Sequence, residues 1–229
     1  MFSSTFFDDR EDAAEQLAAA LQEYRGRNPL VLAIPRGAVP IGHILAERLQ
    51  GELDLVLVHK LSAPSDPEYA IGAVDESGWA YVSPLEAPEL ASNPAFEAIR
   101  QQQVDALRQR RASYTPWLQP ISPAQRICIV VDDGLATGAT MIAALHAVRA
   151  KGPTALIGAV PVAAHVSLPE VEPLADRFVC LHAVPGFGAV SSYYARFEQI
   201  EDEEVKSILR RHARSPAGPQ TGSLPKEGH

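Results

Sequence analysis

The hydrophobic positions of this chain alternate between two periodicities. Asp8 to Tyr24 places Ala14, Leu17, Leu21 and Tyr24 at helical spacing behind a cluster of acids, which predicts an amphipathic helix. Leu30 to Ile34 (LVLAI) is a continuous apolar run, the pattern of a strand covered on both faces, and Pro35, Arg36 and Gly37 break it. Ala38 to Leu49 returns to helical spacing through Ile41, Leu45 and Leu49, and Gly51 marks its expected C-terminus. Leu53 to Val58 is a second strand, so the segment reads as a βαβ unit with parallel pairing.

The pattern then changes. Ser62, Pro64, Ser65, Asp66 and Pro67 form a polar, turn-rich stretch before Tyr69 to Val74 resumes as an excursion strand. Pro84, Pro88 and Pro94 bound a second irregular stretch, followed by a polar helix from about Ala95 to Ser113 with Phe96, Ile99, Val104 and Leu107 on one face. Its Arg108, Arg110 and Arg111 read as a solvated face in preference to a binding patch. Further strands are expected at Arg126–Val131, Thr154–Val160 and Arg177–His182, with helices at Ala139–Lys151 and Ile200–Arg211. The alternation predicts a three-layer α/β/α domain on a mostly parallel, doubly wound sheet. Residues 1–212 read as that domain, and 213–229, rich in Gly, Pro and Ser, as a disordered tail.

Composition narrows the function classes. A chain of 229 residues fits one large α/β domain, and 46% apolar with 21% charged residues exclude wholesale disorder. No apolar stretch approaches the roughly 20 residues of a membrane helix, and the start (Met1, Phe2, Ser3, Ser4, then Asp8 and Asp9) does not resemble a signal peptide. A cytoplasmic protein without a membrane partner is expected. Twenty-eight acids against twenty bases give a net charge of −8, which argues against nucleic acid as a general partner. Cys128 and Cys180 sit inside apolar strand-like runs and read as small buried hydrophobes.

The most informative string is Ile129-Val130-Val131-Asp132-Asp133-Gly134-Leu135-Ala136-Thr137-Gly138-Ala139-Thr140, an apolar strand running into two acids and then a small-residue turn that opens a helix. Such a turn points consecutive N–H groups and the positive helix end at one spot, which suits a phosphate. Thr137 and Thr140 add hydroxyl donors, and Gly138 permits close backbone approach. The string lacks the Gly-Lys-Ser/Thr of a nucleotide P-loop, and no Gly-x-Gly-x-x-Gly follows a strand. Two carboxylates beside an anion site are consistent with a ligand of three parts: a phosphate for the loop, hydroxyls that donate to the acids, and a carbon that becomes cationic. An ordinary βα turn with an Asp N-cap explains one Asp but not the whole string.

With these residues the chain resembles the type I phosphoribosyltransferase family, in a bacterial-type form, whose signature is an apolar strand, two acids and Thr-Gly-x-Thr. The resemblance implies a sheet of order 3-2-1-4-5-6 with strand 3 antiparallel, phosphoribosyl pyrophosphate (PRPP) as co-substrate and Mg²⁺ as cofactor. It implies that Asp132 and Asp133 bind the ribose 2′ and 3′ hydroxyls, meeting the metal only indirectly through ribose or water. Ala136, Thr137, Gly138, Ala139 and Thr140 would cradle the 5′-phosphate. Ile34-Pro35-Arg36-Gly37-Ala38 is similar to the family's pyrophosphate loop, where backbone amides, often around a cis peptide, hold the leaving group, which implies roles for Arg36 and Gly37. His59-Lys60, at the end of strand two, stands where relatives carry Arg-Lys, so Lys60 is a pyrophosphate-ligand candidate; a surface lysine at a strand end is the other reading. The implied catalytic set is therefore Asp132, Asp133, Arg36 and Lys60. The resemblance places the two loops at the switch point between strands 1 and 4, where ligands of open α/β sheets bind.

Leu61 to Ala73 corresponds to the family's flexible loop (about 61–83), and Val184 to Phe197 to a substrate hood (about 184–199). Phe187, Tyr193, Tyr194 and Phe197 would either stack on a base or pack the hood itself. Ala136 stands where the family's 6-oxopurine enzymes usually have Asp, and the string is similar to adenine enzymes; Glu68 is then a candidate group near the base, or a solvated loop residue. His43, His146 and His182 lack convergent ligand spacing and read as structural, as do Phe7, Trp79 and Trp117. The implied reaction is transfer of a phosphoribosyl group to a nitrogen nucleophile, a nucleobase by preference, with small-molecule partners and scope for a homo-oligomer. Two alternatives stand beside it: a PRPP- or nucleotide-sensing regulator that binds RNA or DNA through Arg100, Arg108, Arg110 and Arg111, and a domain partnered with a hydrolase that is weakly active alone.

Overall fold

The computed structural model describes residues 5–63, 66–82 and 94–214. The apolar runs become one parallel sheet. Strands β1 (Leu30–Ala33), β2 (Glu52–Leu55), β6 (Ile127–Val131), β7 (Ala155–Ala164) and β8 (Arg177–Val184) lie in the order β2-β1-β6-β7-β8, every pairing parallel. Alternate residues feed opposite cores: Val31, Ala33, Ile129 and Val131 face one side, Leu30, Leu32, Cys128 and Val130 the other, all at or near zero exposure. That two-sided burial is why these strands read as unbroken apolar runs.

Helices cover both faces. On one lie α1 (Arg10–Ala20), α2 (Val39–Leu49) and the C-terminal α6 (Asp202–Arg214); on the other lie α4 (Ala139–Arg149) and the short α5 (Leu168–Val171). Asp9 caps α1 by accepting from the N–H groups of Glu11 (3.0 Å) and Asp12 (3.1 Å). Helix α2 ends at Leu49 as expected, but the left-handed residue that closes it is Gln50 (φ +56°) and not Gly51. Gly51 is needed for a different reason, since a Cβ there would overlap the carbonyl oxygen of Pro29.

The region after β2 departs from the expected layout. The parallel partner β1 ends at Ala33, and the last bond along this edge runs from Val56 N to Ala33 O (3.1 Å). The chain therefore leaves the main sheet at Leu55, and β3 (Val58–Ala63), β4 (Asp66–Asp75) and β5 (Ala80–Val82) form a separate antiparallel sheet. Strands 2-1-4-5-6 of the expected order are all present, and the antiparallel third strand lies in this second sheet. Consequently His59 and Lys60 sit on β3, opposite Val74 and Ala73, and not at the end of the second strand. Within Leu61 to Ala73, residues 61–63 and 66–73 are strand; residues 64–65, the Glu68 side chain, residues 83–93 and residues 215–229 lie outside the described residues.

The second sheet packs between α4 and helix α3 (Pro94–Tyr114). Here the solvated reading is corrected for Arg111, whereas Arg108 and Arg110 stay exposed. Arg111 is only 11% exposed and donates to Asp54 Oδ1 (2.7 Å), Glu76 Oε2 (2.7 Å) and the Leu55 carbonyl (2.6 Å). Arg100 and Arg108 donate to the carbonyls of Gly78 and Glu76 in the β4–β5 turn. The arginines dock a hairpin. The histidines pack as expected: His146 stacks on Tyr81, His182 on Phe6, and His43 meets His212 edge to face.

Candidate active site

Adjacent strands β1 and β6 end side by side, and their connections depart to helices on opposite faces: Ile34–Gly37 leads to α2, and Asp132–Gly138 to α4. The crevice at such a reversal is where open α/β sheets bind ligands. The peptide bond between Pro35 and Arg36 is cis. The two loops touch: a Cβ on Gly37 would overlap Oδ2 of Asp133 and stand 2.7 Å from its Cγ.

The acid-bearing turn is held on several sides. Leu135 bridges to β7 through bonds with Val162 O (2.9 Å) and from Ala164 N (2.8 Å), and Ser167 Oγ donates to Ala136 O (2.6 Å). Gly138 sits at the N-cap of α4 with φ +81°, a conformation that favours glycine, and gives the helix no side-chain cap. The Thr137 hydroxyl lies 3.5 Å from Ala139 N. A cavity of about 160 Å³ opens here, lined by Asp132, Gly134, the Ala136–Thr140 turn and Val190. Asp132, Ala136, Thr137, Gly138, Ala139 and Thr140 are thus brought together around a helix N-terminus suited to an anion.

Asp133 faces elsewhere. Its Oδ2 accepts Nε (3.1 Å) and Nη2 (2.9 Å) of Arg10 from α1, and its carbonyl accepts the Tyr194 hydroxyl (2.6 Å). Its own N–H donates to Asp132 Oδ1 (2.9 Å). Arg36 is one-third exposed and reaches Glu201 Oε2 at 3.4 Å, while Lys60 is exposed on β3; neither contacts the acid pair. Arg10 escaped the sequence reading, yet it left a signal: it occupies the same helical stripe as Ala13, Ala14, Leu17 and Leu21, all buried. A lone arginine on a buried stripe requires a buried partner.

The hood aromatics pack on their own chain. Tyr193 and Tyr194 are buried; Phe187 lies against Tyr193, Tyr194 against Phe197 and Phe7, and Phe6 against Tyr193. Of the two readings of this segment, packing is the one its contacts support.

Electrostatics single out the acid pair. Burial and then the neighbouring Asp133 carboxylate push the Asp132 carboxyl well above the usual carboxylate range. Burial also raises Asp133, against the lowering influence of Arg10. Burial pushes the Cys128 thiol up to about 12 and Cys180 to about 11, in keeping with inert packing groups. Among the described residues no cluster of three or more His, Cys, Asp or Glu could hold a metal by itself. Two carboxylates beside an anion cradle nevertheless suit Mg²⁺, which commonly takes one or two carboxylates with substrate phosphates and water. A larger cavity, about 360 Å³, lies away from this crevice between β2, the β4–β5 turn and the end of α4, where Arg111 pairs with Asp54 and Glu76, and Lys151 with Asp75. Among the described residues no helix is long and apolar enough to cross a membrane.

The fold agrees with comparisons to known proteins. A protein provisionally named a phosphoribosyl transferase, in two strains of Mycobacterium tuberculosis, is 37% identical over 207 residues; the match covers 90% of this chain and 46% of the relative, so the chain spans about half that protein's length. The crystal structure of the protein TT1426 from Thermus thermophilus is 39% identical with a TM-score of 0.83, covering 90% of this chain and 98% of that one. A family described as "Phosphoribosyl transferase domain" matches residues 5–196, and the chain belongs to that family.

Proposed function

We propose that this protein transfers the 5-phosphoribosyl group of PRPP to a nitrogen nucleophile, releasing pyrophosphate. The observation that carries the reading is the meeting of two loops at the ends of β1 and β6: Gly37, next to the cis Pro35–Arg36 peptide, lies against the Asp133 carboxylate, and the adjoining Asp132 lines the Ala136–Thr140 cradle. The bond from C1 to the pyrophosphate oxygen breaks as the bond from C1 to nitrogen forms, and the electron pair leaves with the pyrophosphate. The Ala136–Thr140 amides and the positive end of α4 hold the 5′-phosphate. Asp132 and Asp133 accept from ribose hydroxyls and stand near the carbon that becomes cationic. Amides of the Arg36–Gly37 turn, with the Arg36 side chain, bind the departing diphosphate; Lys60 would join only by movement of β3 from its exposed position. Asp132 and Asp133, through ribose hydroxyls or water, would help hold a Mg²⁺ whose charge would offset that on the leaving group.

Ala136 favours adenine over 6-oxopurines as acceptor, from the family pattern alone. The regulator reading loses its nucleic-acid face in part, because Arg100, Arg108 and Arg111 donate inward to the hairpin turn and β2. The test is incubation with PRPP, Mg²⁺ and separate pools of bases, following pyrophosphate. Release that Asp132→Asn reduces by about 10²–10³ supports transfer. Release with adenine alone supports the acceptor assignment, whereas PRPP binding without release from any pool favours the sensor.

A further inference from the structure

Arg10 makes contacts that a helix-surface arginine does not. It is 8% exposed, its guanidinium carbon lies 3.8 Å from the Phe197 ring centroid, and Nη1 donates to the Glu198 carbonyl (2.8 Å) while Nε and Nη2 both meet Asp133 Oδ2. The acid turn is gripped twice more from the same side. Tyr194 donates to the Asp133 carbonyl, and Val190 fills the space beside Gly134 so closely that a Cβ there would overlap its Cγ1. One segment, Val190 to Glu198, together with α1, therefore fixes both the main chain and the side chain of Asp133.

From these contacts we infer that Arg10 is a positioning residue for sugar recognition: its fork pins Oδ2 of Asp133, so that Oδ1 is offered to a ribose hydroxyl in one orientation. The inference rests on the phosphoribosyl-transfer reading and adds to it a residue 123 positions away in sequence from the acid it orients. Every described contact with Arg10 falls on Oδ2, and among the described residues no side chain hydrogen-bonds to Oδ1. A carboxylate beside a second carboxylate turns away from it when unrestrained, because like charges at this range repel. A planar guanidinium removes that freedom through paired charge-assisted bonds, whereas a lysine ammonium supplies charge without the fork. The hood segment then serves the sugar end of the substrate, which accounts for aromatics spent on Arg10 and on one another.

A purely structural Arg10 and a positioning Arg10 differ in what they do to two probes. Inorganic phosphate needs only the Ala136–Thr140 amides; ribose 5-phosphate needs those and the acid pair. We expect Arg10→Met, folded by circular dichroism, to bind ribose 5-phosphate and PRPP about 10- to 100-fold more weakly in calorimetry, the range that small misplacements of binding groups produce. Its affinity for inorganic phosphate should equal that of wild type. Arg10→Lys should recover part of the loss, and it carries the test where Arg10→Met does not fold. Wild-type affinity for ribose 5-phosphate in the folded variant, or equal loss of phosphate and ribose 5-phosphate, overturns the inference while leaving phosphoribosyl transfer standing. A wild-type protein that binds phosphate but neither PRPP nor ribose 5-phosphate overturns both.

Discussion

Replacing Gly37 by alanine tests the junction of the two loops with a single methyl group. The backbone at Gly37 needs no left-handed conformation, so any cost comes from contact. A Cβ there would overlap Asp133 Oδ2 and lie 2.7 Å from Cγ and 3.2 Å from Oδ1, so one partner must retreat by more than about 1 Å to reach ordinary van der Waals distance. The carboxylate cannot simply rotate, because Arg10 holds Oδ2 at 2.9 and 3.1 Å and both side chains are at most 15% exposed. Either that ion pair loosens or the Arg36–Gly37 turn moves away from the crevice. Overpacking of this kind costs about 1–3 kcal/mol, which in a domain of this size lowers the melting temperature by roughly 2–12 °C. A displacement of about 1 Å at a binding loop lowers turnover about 100-fold. Thermal unfolding by circular dichroism and pyrophosphate release from PRPP read the two effects separately. A Gly37→Ala protein that melts with wild type refutes the packed junction, and one that melts lower but releases pyrophosphate at the wild-type rate refutes its place in the reaction.

Two further outcomes follow from pairings remote from the crevice. Arg111→Met leaves Asp54 and Glu76 facing a buried site without their cation, and loss of one partner of such a network costs about 3–5 kcal/mol; the expected result is a chemical-denaturation midpoint well below wild type, with no change in PRPP affinity of the folded protein. His43 and His212 share a hydrogen bond between their Nδ1 atoms (3.3 Å), and burial, reinforced by Arg211 at His43 and by His43 itself at His212, lowers both from the ordinary 6.5 against the opposing pull of Glu47 and Glu52. The unfolded chain therefore binds protons first, so the stability tied to this pair is complete above pH 6.5 and drains away as pH falls below it. The raised carboxyls of Asp132 and Asp133 act in the opposite sense, so the diagnostic is a difference. His43→Gln should lose less stability than wild type between pH 7 and pH 5 in urea titrations, and parallel curves would refute the coupling.

What the sequence disclosed and what it hid divide along a physical line. Strands β1, β2, β6 and β7 of the main sheet were legible because each is buried on both faces, which writes an apolar run into the chain whatever its neighbour. The acid turn was legible because its chemistry is local: cradle, acids and helix start occupy Asp132 to Thr140. The departure of β3 was hidden, since it depends on where β1 stops, 25 residues upstream of Val58. Arg111 was misread because its partners, Asp54, Leu55 and Glu76, lie far back in the chain and include a carbonyl that has no sequence signature. The hood aromatics were ambiguous for a related reason, because a ring that stacks on a ligand and one that stacks on Phe6 are the same residue in a sequence.

The acid pair itself shows why the distinction matters for function. Burying two adjacent carboxylates is unfavourable, and among the described residues the cation paired with them is Arg10, which is committed to Asp133. Asp132 receives the Asp133 N–H and otherwise lines the cavity with its carboxyl pushed upward by burial and by its neighbour. A fold selected for stability alone would replace Asp132 by a smaller polar or apolar group, because that change removes the repulsion and leaves the Arg10 pair intact. Its retention beside amides that attract anions makes sense when the missing compensation arrives with the ligand, as hydroxyl donors or as a cation that accompanies a phosphate. On that account Asp132→Ala should melt higher than wild type when free of ligand, and lose the advantage in saturating ribose 5-phosphate as wild type gains binding energy that the variant cannot. An Asp132→Ala protein that melts lower without ligand would mean that the carboxylate belongs to the scaffold and not to the site.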